Sequence, residues 1–301
     1  MGIDQQWVSL EEKYIRFHFS LFDWEVIVIN VEFIPGVSMR LPGNLDQDDT
    51  LPQLAASGLA AVELTYIADF IKPGWVKRVR KTLADSNILI NSVHAPFGDD
   101  VDISRCDDGG QAYAIAAIAK SIEMAKQLGA GILVVHASAE PIDKAEREQR
   151  LAQSSKGLAA LVKMVEPLGI RLAVELLPRT CLGNTAEELI QFVEQHPPEQ
   201  VGICLDTNHL ADTSKLPEYV ELLQHRLITT HISDYDGLDE KHWIPFTGVI
   251  DWGAFADALY RISYRGAFIY EVTLDKNLLA AEFENILGNF DRIIDAAEQR
   301  L

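Results

Sequence analysis

The chain has 301 residues, 48% of them hydrophobic and 24% charged, with 45 acidic against 26 basic side chains and a formal net charge of −19. That apolar content excludes a disordered chain. The acidic excess makes nucleic acid and anionic membrane surfaces poor partners, because the average surface repels a polyanion. Cys106, Cys181 and Cys204 are scattered and form no Cys-x-x-Cys pair, which argues against a disulfide framework and for a reducing compartment.

The first 33 residues stand apart from the rest of the chain. They hold Trp7, Phe17, Phe19, Phe22 and Trp24, and they read as an N-terminal extension (1–33) ahead of one domain at 34–301. The most apolar stretch there, 26–34, is too short to span a bilayer and carries Glu32. Asp4, Glu11 and Glu12 stand where a signal peptide would be basic, so the expected location is the cytoplasm.

From residue 36 onward short β-branched apolar runs alternate with helical patterns. The runs fall at 36–39, 60–64, 88–94, 131–136, 171–175, 201–206, 227–231 and 267–271. Nearly continuous apolar runs suit parallel strands buried on both faces. Between them, Pro73 and Gly74 open a segment that runs to Asp85. Ile115, Ala119, Ile122 and Ala125 line one helix face that stops near Gly129. Leu158, Leu161, Val162 and Val165 line another, ending near Gly169, and Thr185 with Glu188 forms a capping-box pattern. Eight such units are the count of an α/β protein of the (β/α)8 TIM-barrel class in a single domain; an open doubly wound sheet is the competing arrangement.

Polar residues terminate these runs. His94, His136, Glu175, Asp206, His231 and Glu271 each sit at the C-terminal end of an expected strand, and a barrel gathers those ends around one mouth. Any one alone has an ordinary explanation; Asp206, before Thr207-Asn208, could simply cap the next turn. Together they would be costly to desolvate without a compensating charge, and a divalent cation (Mn, Co, Zn or Fe, with Mg where carboxylates dominate) is the simplest compensation.

Particular stretches carry a family likeness: Asn91-Ser92-Val93-His94-Ala95-Pro96, Val134-Val135-His136, Ala173-Val174-Glu175 and Leu205-Asp206-Thr207-Asn208-His209. Thr230-His231-Ile232-Ser233-Asp234, Lys241-His242-Trp243, Ile250-Asp251-Trp252 and Tyr270-Glu271 complete the series. In order and spacing the chain from 34 to 297 resembles the xylose isomerase-like superfamily of TIM barrels, which holds sugar isomerases and epimerases and also endonuclease IV. The resemblance implies a mononuclear site with Glu175, Asp206, His231 and Glu271 as ligands, and His209 as a substrate contact. The three-residue offset from Asp206 brings His209 to the same side. His94, His136, His209 and His242 also resemble the extra histidines of the trinuclear nuclease. That pattern has Asp-x-His late in the chain, whereas here His242 follows Glu240-Lys241, so one ion is expected.

The implied reaction is proton transfer beside a carbonyl, with the enediolate charge stabilised by the metal. Glu175 and Glu271 are the expected acid/base pair, and His94, His136, His209, His242 and Arg179 the expected substrate-binding set. His94 and His136 could equally support the ligands. Phe97 and Trp243 are candidate walls, and Arg179 and Lys241, on loops after strands, are either phosphate contacts or solvated surface charges. The expected partner is a small carbohydrate, with a homo-oligomer left open. A cyclitol or sugar-acid dehydratase, an endonuclease IV-like phosphodiesterase and an idle binding barrel are the rival readings.

Overall fold

The computed structural model describes residues 33–300. The aromatic-rich segment 1–32, most of the expected extension, lies outside the described residues. Eight strands run in chain order: β1 (Ile34–Met39), β2 (Ala61–Thr65), β3 (Leu89–His94), β4 (Ile132–Val135), β5 (Arg171–Glu175), β6 (Val201–Asp206), β7 (Leu227–Ile232) and β8 (Ala267–Tyr270). The helices are α1 (Thr50–Ala55), α2 (Trp75–Asp85), α3 (Asp108–Leu128), α4 (Arg147–Val165), α5 (Ala186–Val193), α6 (Leu216–Leu223), α7 (Trp252–Arg261) and α8 (Leu279–Glu298).

All strands pair in parallel, in sequence order, and β8 closes on β1 through Ile34 and Ala267. The open doubly wound sheet is therefore excluded. Closure needs close backbone approach at Gly36, where a Cβ would lie 2.9 Å from the Ala61 carbonyl oxygen and 2.8 Å from Ile269. The main core lies between barrel and helices, with Trp252, Phe255, Phe268 and Phe283 fully buried. Two small clusters are separate from it, one of Val134, Ala173, Cys204 and Ile228, the other of Ala61, Ala267 and Ile269. The period of two along each strand puts Ala173 with Glu175, Cys204 with Asp206, and Ile269 with Glu271 on the same face. Apolar residues thus form part of the floor beneath the polar strand ends.

Helix boundaries follow the expected signals with two adjustments. Gly129 ends α3 at φ +79, and Gly169 ends the segment after α4 at φ +68. The buried stripe of α3 runs through Ala114, Ile118, Ile122, Ala125 and Leu128, so Ile115 and Ala119 sit at its margin. The helix packs against both α2 and α4 as well as the sheet, which rotates its covered arc. Thr185 Oγ1 accepts the Glu188 amide at 3.2 Å, but the Glu188 carboxylate accepts from the Gly183 amide and Arg147 instead of closing the box.

Candidate active site

The strand ends converge as their positions demand. Glu175, Asp206, His231 and Glu271, from β5, β6, β7 and the residue after β8, each offer an atom such that all four lie within 4.8 Å of one another. His231 Nδ1 is 3.3 Å from Glu175 Oε1, 3.2 Å from Glu271 Oε2 and 3.8 Å from Asp206 Oδ2. The other Glu175 oxygen faces His94 Nε2 at 3.1 Å and His136 Nε2 at 3.0 Å. His94 Nδ1 donates to the Ala95 carbonyl at 2.7 Å, so both its ring nitrogens are engaged and it supports Glu175 from a buried position. His209 Nδ1 donates to the Leu176 carbonyl at 2.7 Å and stands 3.3 Å from Asp206 Oδ2, on the side that the three-residue offset predicts.

Asp206 does both things its sequence context allows. Its Oδ1 accepts the Asn208 amide at 2.7 Å and caps the turn that carries His209. Its Oδ2, fully buried, has no hydrogen-bond partner among the described residues. Among the described residues the oxygen has only the ionic contacts of His209 and His231, at 3.3 and 3.8 Å, and a buried carboxylate oxygen without a hydrogen bond is a place where a cation would be favoured. Burial pushes the Asp206 pKa up, and the charge of His209 offsets this only in part. At Glu175 burial pushes up too, but the charges of His136 and His231 outweigh it and hold the carboxyl well below the usual range. A buried oxygen without a hydrogen-bond partner, within reach of two further carboxylates and an imidazole nitrogen, is a donor set that suits a divalent ion.

One buried acid of this site escaped the sequence reading. Glu63, in the middle of β2, is fully buried, and its Oε1 lies 3.0 Å from His231 Nε2 in a close ionic contact off the hydrogen-bond axis. Ser38 Oγ donates to Oε1 at 2.9 Å and Ser92 Oγ to Oε2 at 2.7 Å. Burial raises the Glu63 pKa, but the charge of His231 prevails and holds it ionised. A carboxylate within the otherwise apolar run 60–64 was the available signal.

Above the cluster opens a cavity of about 280 Å³ lined by His94, His136, Glu175, His209, His242 and Glu271, together with Phe97, Arg179 and Glu240. His242, at φ +50, donates from Nδ1 to the Glu271 carbonyl at 2.9 Å. Phe97 stacks on His136 with ring centroids 4.7 Å apart, as a wall residue would. Trp243 lies outside the cavity lining; its backbone bridges to Asp234 through bonds of 3.0 and 2.8 Å. Arg179 Nε donates to Glu140 at 2.8 Å, and its Nη1 reaches Glu240 at 2.5 Å and Asp239 at 3.2 Å. Lys241 pairs with Asp236 at 3.4 Å and also lies outside the lining. Both expected phosphate contacts are thus already engaged by acids.

The closed eight-stranded parallel barrel is a TIM barrel, and it gathers carboxylates and imidazoles at its C-terminal rim, where such folds build their sites. The chain belongs to the xylose isomerase-like TIM barrel family, whose pattern matches residues 51–293. An uncharacterized protein of Methanocaldococcus jannaschii is 28% identical over 210 residues, 67% of this chain and 70% of that one. A ketose 3-epimerase of Arthrobacter globiformis is 23% identical over 218 residues, 71% of this chain and 73% of that protein. The crystal structure of a D-tagatose 3-epimerase-like protein superposes with a TM-score of 0.74 at 23% identity, over 89% of this chain and 99% of that one, a likeness of fold. Among the described residues no helix is long and apolar enough to cross a membrane.

Proposed function

We propose that the protein is a divalent-metal-dependent sugar epimerase or isomerase that moves a proton at the carbon next to a ketose carbonyl. The observation that carries this reading is the convergence of Glu175 and Glu271 on His231 Nδ1, at 3.3 and 3.2 Å, with both residues lining one cavity. The ketose 3-epimerase relative supports the substrate class. Glu175, Asp206, His231 and Glu271 would hold the ion. When bound, it supplies Lewis acidity that lowers the cost of negative charge on the substrate oxygens.

The chain's own groups do the rest. One of Glu175 and Glu271 takes the carbon-bound proton and the other returns one. Return to the opposite face of the same carbon inverts it; return to the neighbouring carbon, with the hydroxyl proton passing to the former carbonyl oxygen, moves the carbonyl. His94 and His136 fix the outer oxygen of Glu175, which leaves Oε1 as the oxygen directed at the cluster. His209 and His242, each with Nδ1 tied to a backbone carbonyl, turn Nε2 outward towards a substrate hydroxyl. Phe97 covers the His136 side and helps exclude water.

The test is incubation of the metal-supplemented protein with D-tagatose, D-psicose and L-ribulose in deuterium oxide. Deuterium should enter one carbon next to the carbonyl as the epimer or isomer appears. Glu175→Gln and Glu271→Gln should each reduce turnover by at least about a thousandfold while retaining the fold. Normal turnover in both variants, or loss of water from substrate without deuterated sugar, would overturn this reading.

A further inference from the structure

The cluster of acids and histidines is flanked by a second cavity. The first, described above, is lined from the ends of β3 to β8 and includes Glu271. The very next residue, Val272, lines the second, of about 550 Å³, at the C-terminal ends of β1, β2 and β8. Consecutive Cα atoms are about 3.8 Å apart, so the two cavities share a rim there. The Thr273 amide donates to the His242 carbonyl at 2.9 Å and pins that rim. Ser38 also lines the second cavity, and its hydroxyl donates to Glu63, the acid beside His231.

The two cavities differ in charge. Acids dominate the first, and its Arg179 is engaged by Glu140 and Glu240. The second holds Arg40, the residue after β1, and Lys276, in the segment after β8, and neither has an ion-pair partner among the described residues. Its acids are occupied. Asp48 Oδ1 accepts the Thr50 amide at 2.7 Å, and Asp69 Oδ2 accepts from Lys72 at 2.8 Å. Arg40 follows Ser38 by two residues, which sets it on the same side of the chain and roughly 7 Å further out. The backbone that carries it is held, because the Trp75 indole donates to the Pro42 carbonyl at 2.9 Å and Leu41 is buried. On a chain of net charge −19, two cations with no acid to neutralise them make a local exception that attracts a negatively charged group.

We infer that the second cavity is a subsite for an anionic group, a phosphate or a carboxylate, at the end of the ketose remote from its carbonyl, with Arg40 and Lys276 as the specificity-determining residues. The inference rests on the proposed ketose reading and narrows the substrate to sugars that carry such a charge.

The test is calorimetric titration of the Mn²⁺-supplemented protein with D-tagatose, D-tagatose 6-phosphate and D-tagaturonate, in wild type, Arg40→Met, Lys276→Met, the double variant and Arg40→Lys. Wild type should bind one of the two anionic sugars about ten- to a hundredfold better than D-tagatose, the range for a hydrogen bond to a charged group. The anion that gains more distinguishes phosphate from carboxylate. Each Met variant should lower that preference and the double variant should abolish it, whereas Arg40→Lys, which keeps the charge, should retain most of it. Equal affinity of wild type for all three sugars, or a preference that survives in the double variant, would overturn the subsite. If wild type prefers an anionic sugar but exchanges no carbon-bound proton in any ketose, the proposed reaction fails and the subsite stands. If it epimerises D-tagatose and shows no preference, the reaction stands and the subsite fails. If it binds none of the three, both fail.

Discussion

Glu63 Oε1 and His231 Nε2 lie 3.0 Å apart with both side chains fully buried, so one imidazole joins a carboxylate inside the barrel to the cluster of acids at its mouth. A carboxylate behind a ligating histidine sets its ring orientation and raises its basicity. Glu63→Gln should therefore leave the fold intact and weaken Mn²⁺ binding by about ten- to a hundredfold, measured by competition with a chelating indicator. An unchanged affinity would show that the barrel alone orients His231.

Protons and the proposed cation would compete for this site. Burial would lower the pKa values of His94 and His209, but the hydrogen bond and charge of Glu175 raise His94 to about 9, and the charge of Asp206 raises His209 to about 10. A histidine raised in the folded state adds stability that is complete below its unfolded value, about 6.5, and is lost as pH climbs through the folded value. The chelator-treated protein should melt at progressively lower temperature between about pH 7 and 10. Mn²⁺ should bind more tightly as pH rises over that range, by up to about tenfold per unit for one proton displaced. A chelated protein whose melting temperature rises with pH would contradict this assignment.

Asp234 organises the loop between β7 and α7. Its Oδ1 accepts the amides of Tyr235 at 3.0 Å and Ile250 at 3.3 Å, and its Oδ2 accepts the buried Trp252 indole at 2.9 Å. Asp234→Ala strands that indole N–H and should cost about 1–3 kcal/mol in urea unfolding. Because the same loop carries Glu240 and His242, sugar affinity should fall as well. A variant of wild-type stability would mean that the loop holds its shape by packing alone.

Phe97 is exposed, yet it stacks on His136 and borders the cavity. Phe97→Ala should barely change the melting temperature while raising KM by about two- to tenfold, the scale of one aromatic contact. Equal kinetics in both proteins would remove Phe97 from the wall.

The barrel was legible because buried parallel strands leave a simple trace, a β-branched run that ends on a polar residue. His94, Glu175, Asp206 and His231 all show it, and all converge. Glu63 was not legible, since it sits within its run and acquires meaning only through register, which aligns it with Ser38 on β1 and Ser92 on β3. Arg179 and Lys241 looked available for phosphate because their neutralising acids are set by loop folding: Glu140 is 39 residues away from Arg179 in the chain. Trp243 looked like a wall because it comes after a strand end; its backbone bridge to Asp234 places it elsewhere. Aromatic and charged residues on loops carry no periodicity that reports which way they face.

The barrel divides its labour between two halves. Glu175, Asp206, His231 and Glu271 all come from β5 onward, whereas Glu63, His94 and His136 come from β2 to β4. The later half owns the four convergent groups outright, and the earlier half braces them from behind and the side. Drift in the first half can thus retune the strength and acidity of the grip without replacing any of the fingers that make it.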